Sequence, residues 1–272
     1  MRQRQESTVG AAVAMTDSLP RWDLSAAFPG IATPGFAEGF ADWLGAIDAL
    51  GALFDAEGVG SDAGAVDRAR FEHVLNALNE TLDRTMTMEA YLFALVSADS
   101  RDEAAQARLS EFSIAQTRLK VLRSRFTAWL GAIDVDRLIA ESPLAASHAF
   151  ALRKGRQAAA HLLLPAEEAL AAALTPSAAI AWAKLHDNLT SQLKGVVEIA
   201  GEAQSLPLSA IRNLAMSPDA DVRRRAYDAE LALLEANAVP IAATLNGVKG
   251  QVVVLDARRG WADPLAASLF TS

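Results

Sequence analysis

Apolar residues recur every three or four positions along almost the whole chain, the spacing of one face of an α-helix. Phe36, Phe40, Leu44, Ile47 and Phe54 make the first stripe, and the Gly58-Val59-Gly60 stretch ends it. Phe71, Leu75, Leu78 and Leu82 make the second. Met86, Tyr91, Leu92 and Leu95 continue it, with a break expected near Thr85 and Thr87. Ser100 and Glu103 have the spacing of a capping box, in which the hydroxyl accepts from the amide of residue 103 and the carboxylate reaches back. Behind it, Leu109, Phe112, Leu119, Leu122, Phe126 and Trp129 give the best-patterned segment of the chain, which Gly131 is expected to close.

Proline punctuates the next stretch of chain. Ser142-Pro143, Leu164-Pro165 and Thr175-Pro176 each predict a helix start, because the missing amide proton of proline would be unpaired in a first turn anyway. Glu167 and Glu168 then fall in a first turn, where carboxylates suit the positive end of the helix dipole; helix-end chemistry outweighs an acid/base pair. Ile180, Trp182, Leu185 and Leu189 stripe the next helix. Ser217-Pro218-Asp219 predicts another start, with Ser217 as cap, and Val222, Ala226, Ala229 and Leu233 on one side behind it. Asp221 with Arg225, and Arg224 with Asp228, are spaced for ion pairs one turn apart. Ile241, Leu245, Val248, Val252 and Leu255 mark a last long helix that stops at Gly260.

One segment breaks the helical period. Val196, Val197 and Ile199, a turn at Gly201-Glu202, and a return over Ala203 to Leu206 predict a short β-hairpin. The expected fold class is therefore all-α, mainly helical, with one small β-hairpin. The expected organisation is an extension over 1–16, a helical domain over 17–190 and a further region over 191–272. Arg2 and Arg4 precede the apolar stretch Val9 to Met15, which is too short and too poorly followed to read as a signal peptide; Met15 is a second candidate start. No uninterrupted apolar run approaches 18 residues, so no transmembrane helix is expected.

Composition narrows the chemistry. Hydrophobic residues are 51% of the 272, enough for a sizeable core. Cysteine is absent, which excludes disulfides and thiolate zinc sites and fits a cytoplasmic protein. A net charge of −8 gives no basic footprint for nucleic acid. The histidines are His73, His148, His161 and His186. No two lie four apart and none is followed by Glu, so the helical two-imidazole arrangement of a zinc peptidase is missing from this sequence. No nucleophile elbow or phosphate loop occurs. Arg223-Arg224-Arg225 points in three directions with acids nearby, so it reads as a solvated, ion-paired face. The Trp residues at 22, 43, 129, 182 and 261 read mostly as core anchors. No residue is assigned a catalytic, cofactor-binding or metal role.

Several local strings resemble the oligoendopeptidase F family of zinc metallopeptidases. Leu19-Pro20-Arg21-Trp22-Asp23-Leu24-Ser25 with Phe28-Pro29 is similar to the family's opening. Leu174-Thr175-Pro176, Ala181-Trp182 and Leu189-Thr190-Ser191 are similar to its central segment. Val222-Arg223-Arg224 with Ala226-Tyr227 is similar to a shared helix, and Arg259-Gly260-Trp261 with Asp263-Pro264-Leu265 to a shared turn. The resemblance implies the N-terminal half of a cytoplasmic enzyme that cuts short peptides inside a deep channel between two helical lobes, with 191–272 as the start of the peptidase catalytic region, truncated before the zinc motif. Zinc is implied for the full-length family, held by HExxH downstream of this segment, and none is expected on this chain. The implied partners are an oligopeptide substrate and a C-terminal catalytic half, with no nucleic acid and no membrane. The other reading is a non-catalytic helical scaffold. If a catalytic half is missing, the cluster Trp261, Leu265, Leu269 and Phe270 is expected to stand exposed and to promote self-association.

Overall fold

The computed structural model describes residues 22–60 and 64–272. The 1–16 extension, Met15 and the Leu19-Pro20-Arg21 part of the opening string lie outside the described residues. Near the start of the described chain the Asp23 carboxylate accepts from Ser25 N at 2.9 Å, and the Ser25 hydroxyl, then this amide, hold its pKa below the ordinary value. Phe28 then packs edge-on against Phe36 and Tyr91. Trp22 is 93% exposed, so it is no core anchor.

Helix α1, Pro34–Ala56, begins where Thr33 Oγ1 accepts from Phe36 N and Pro34 takes the first position. It ends where Gly58, at φ +57°, lets Val59 N reach Phe54 O at 2.8 Å. Val59 then buries its side chain, as this left-handed cap favours. Helix α2, Arg68–Ala98, runs on without the expected break. Thr81, Thr85 and Thr87 each donate a hydroxyl proton to the carbonyl four residues back, which keeps them compatible with a helix. Thr85 also accepts Trp43 Nε1 at 2.8 Å, giving that buried indole its partner.

Helix α3, Glu103–Ala132, is capped by Asp102, which accepts from Ala105 N at 3.0 Å. The expected Ser100–Glu103 box does not form; Ser100 Oγ lies 3.0 Å from Ser191 Oγ instead. A carboxylate two residues nearer the helix is the better acceptor for its positive end, so the boundary moves. Gly131 does not close α3 either. It lies inside the helix, where a methyl group would come within 2.6 Å of the Ala159 Cβ, and Gly155 is equally tight against Leu130. These glycines let α3 and α6 cross closely.

Short helices α4 (Val135–Glu141), α5 (Pro143–Ser147) and α6 (Ala149–Ala158) wrap around that end. Asp136 on α4 accepts from Arg153 at 2.8 Å and Arg156 at 2.7 Å on α6, which hold its carboxyl below the usual range. Ser142 is fully buried. Its Oγ accepts from Ala145 N and donates to Glu72 Oε1 at 2.6 Å, tying α5 to α2. The first core, from Phe36 to Leu152, is drawn from α1 through α6. Stacked pairs Trp43–Phe112 and Phe71–Trp129 fill it.

Helices α7 (Pro165–Leu174) and α8 (Ala179–Gln192) come next; Thr175-Pro176 forms a 3-10 turn before α8 rather than its first turn. The hairpin is present. Strand β1, Lys194–Ile199, pairs antiparallel with β2, Glu202–Pro207, with Val197 opposite Gln204. Ala200 at φ 52° and Gly201 at φ 83° make the turn. The hairpin, α9 (Leu208–Asn213) and α10 (Ala220–Ala236) share a second, smaller core of Val197, Ile211 and Ala226.

Asp219, not Ser217, caps α10. Neither of the expected turn-to-turn ion pairs forms among the described residues. Arg225 donates to Glu198 O on β1, Arg223 to Ser217 O and Pro218 O, and Arg212 of α9 pairs with Glu230. Helix α11, Ala238–Arg258, lies along α8 with Gly247 under the Trp182 ring, and α12, Pro264–Thr271, ends the chain. By length and composition α11 is apolar enough to cross a membrane, although it holds no uninterrupted apolar run of 18 residues. Asn246, Lys249, Gln251 and Asp256 interrupt it. Gln251 spends its amide on Ala179 N at 2.7 Å and Thr175 Oγ1 at 3.0 Å, at the start of α8.

Two stability measurements check this account. Ser142→Ala removes a helix cap and should cost about 1–2 kcal/mol in urea unfolding. Ser142, then Arg68, holds the Glu72 carboxyl below its ordinary pKa. That contribution is complete above the unfolded carboxylate range and fades as pH falls through the lowered value, so the gap between wild type and variant should narrow in acid. Ala200→Gly relieves a left-handed alanine and should raise stability by about 1 kcal/mol, read as a higher Tm.

Candidate functional site

Among the described residues no three His, Asp or Glu side chains converge where a metal could sit. His73 Nδ1 lies 3.5 Å from the Glu57 carboxylate and His186 Nδ1 lies 3.3 Å from Asp187. His148 Nδ1 faces Leu144 O at 3.0 Å, while its Nε2 sits 3.2 Å from the Asn79 amide. His161 lies apart from all three, beside Arg259. These four imidazoles occupy separate places in the fold. They do not fit the zinc that the resemblance implies, and no catalytic step can be built on them.

The densest convergence of functional side chains joins α7 to the end of α11. Glu168 is 8% exposed. Its Oε2 accepts from Arg259 Nη2 at 2.9 Å, and its Oε1 accepts from Arg259 and from Leu163 N at 3.0 Å. Glu167 accepts from Leu164 N and from Arg258, each at 3.3 Å. The two acids therefore do helix-end chemistry, as their sequence position predicts, and each also clasps an arginine from the far end of the chain.

The arginine side of the clasp is built by a left-handed cap. Gly260 at φ +73° lets Trp261 N reach Asp256 O at 3.0 Å, turning the chain sharply after Arg259. Trp261 then stacks on His161 with centroids 3.5 Å apart and planes 10° from parallel. His161 Nδ1 donates to Arg259 O at 3.0 Å. Phe270 closes onto Trp261 at 5.1 Å, with Lys154 Nζ 5.7 Å above its ring. The expected exposed cluster is thus divided: Trp261 and Phe270 fold back, while Leu265 and Leu269 remain open at 66% and 69%.

Two clefts flank this junction. One, of about 850 Å³, lies between α3 and the Leu162–Pro165 stretch that leads into α7. Its cations are already engaged: Arg125 with Asp55 and Val59 O, Arg156 with Asp136. The other is a groove of about 480 Å³ between α8 and α11, lined by Leu245, Val252 and Val253 with Lys249 and Asp187 at its rim. Lys184 is a further candidate because it touches a serine. Burial lowers its pKa, and it donates to Ser110 Oγ at 2.9 Å. Ser110 gives its own proton to Gln106 O at 2.7 Å, so the contact ties α8 to α3 and does not activate a nucleophile.

The family's sequence model, described as Oligopeptidase F, matches residues 130–194, from the end of α3 to the start of β1. This stretch is similar to that family's model over those residues alone. It contains Glu167 and Glu168 and the Leu174 to Ser191 strings; the helix around Val222 and the Arg259-Gly260-Trp261 turn lie outside it. No curated protein matches the chain in sequence. Among solved structures, oligoendopeptidase-F from Enterococcus faecium superposes with a TM-score of 0.72 at 18% identity, over 86% of this chain and 46% of that one. That likeness shows the fold: a mainly helical region with one hairpin, spanning about half the length of that protein. A chain from Chlamydophila abortus described as a candidate peptidase aligns at a TM-score of 0.47 and 20% identity, over 91% of this chain and 41% of its own.

The sequence placed Glu167, Glu168 and the Arg-Gly-Trp turn correctly as local features and missed that they meet. The available signal was two acids in one first turn and two arginines in a distant last turn. Glu168→Ala should cost about 2–3 kcal/mol, because it strands a half-buried guanidinium and an amide. Glu167→Ala should cost under about 1 kcal/mol, since its pair is exposed. Equal losses in chemical denaturation would contradict the clasp.

Proposed function

We propose that this chain is the N-terminal lobe of a zinc-dependent oligoendopeptidase that hydrolyses short peptides in the cytoplasm. The observation that carries the reading is the coincidence of the Oligopeptidase F match at 130–194 with the oligoendopeptidase-F fold over 86% of the chain. In this reading α3, α7 and α8 form wall, and the Glu168–Arg259 clasp sets the angle between the first helical core and the hairpin region. Zinc, its ligands and the water-activating acid belong to the portion of a full enzyme that this chain does not span. A cysteine-free composition supports a reducing compartment.

The purified chain should retain less than stoichiometric zinc after dialysis and should leave a fluorogenic oligopeptide uncut. Chelator-sensitive cleavage by the chain itself would overturn the assignment of catalysis to another portion. Reading the coding sequence beyond Ser272 tests the family reading directly. An HExxH codon run, in frame or shifted, supports the peptidase; a stop followed by unrelated sequence favours the helical scaffold.

A further inference from the structure

We draw no further inference here: the strongest candidate, the cleft of about 850 Å³ between α3 and the Leu162–Pro165 stretch, has its arginines, Arg125 and Arg156, already paired with Asp55 and Asp136, and, in a chain spanning 46% of the matched Enterococcus faecium protein, nothing in the structure shows what covers it.

Discussion

A 30-residue helix with a continuous apolar face must bury that face along its whole length, and α3 imposes that requirement here. Phe112, Leu119, Leu122, Phe126, Trp129 and Leu130 are all buried along it. α1 and α2 take one flank, where Trp43 stacks on Phe112 and Phe71 on Trp129. α6 and α7 take the other, with α6 and the turn after it brought close by Gly131 and Gly155. The first core, the short helices around Ser142 and the position of α7 all result from closing those flanks.

The second half of the chain is held differently. Its core is small, and its attachment to the first half rests on polar and aromatic contacts at a few points. Glu168 with Arg259 and His161 with Trp261 are the densest of these. A buried carboxylate–guanidinium pair contributes less net stability than apolar packing of equal size, but it is demanding in geometry. Such a joint fixes an angle better than it resists separation. That suits a lobe whose work, in the proposed peptidase, is to hold one wall of a channel in place.

Much of the fold is legible in the sequence. The helix stripes around Phe36, Phe71 and Phe112, the lone hairpin and the proline starts reflect local spacing, and the structure agrees with them. Differences gather at boundaries, where several polar side chains compete for the same amides. Asp102 displaces Ser100, and Asp219 displaces Ser217, because a carboxylate nearer the first turn is the stronger acceptor. Thr85 reads as a breaker in the sequence, yet its hydroxyl has both a carbonyl behind it and the Trp43 indole across from it. Gly131 reads as a stop, although its lack of a side chain serves a close crossing with α6.

The amino-acid sequence by itself determined the helical class, the hairpin, the lack of thiol chemistry and the family likeness, because each depends on residues near one another in the chain. Only the tertiary structure decided which helix ends meet, that Arg225 bonds to a backbone carbonyl of β1 and not to the acid one turn away, and that Trp22 stays in water while Trp43 does not. The reason is physical. Period and capping are set within a turn or two of helix. A clasp between residues 168 and 259 depends on how whole helices stack, and many stackings are compatible with the same local pattern.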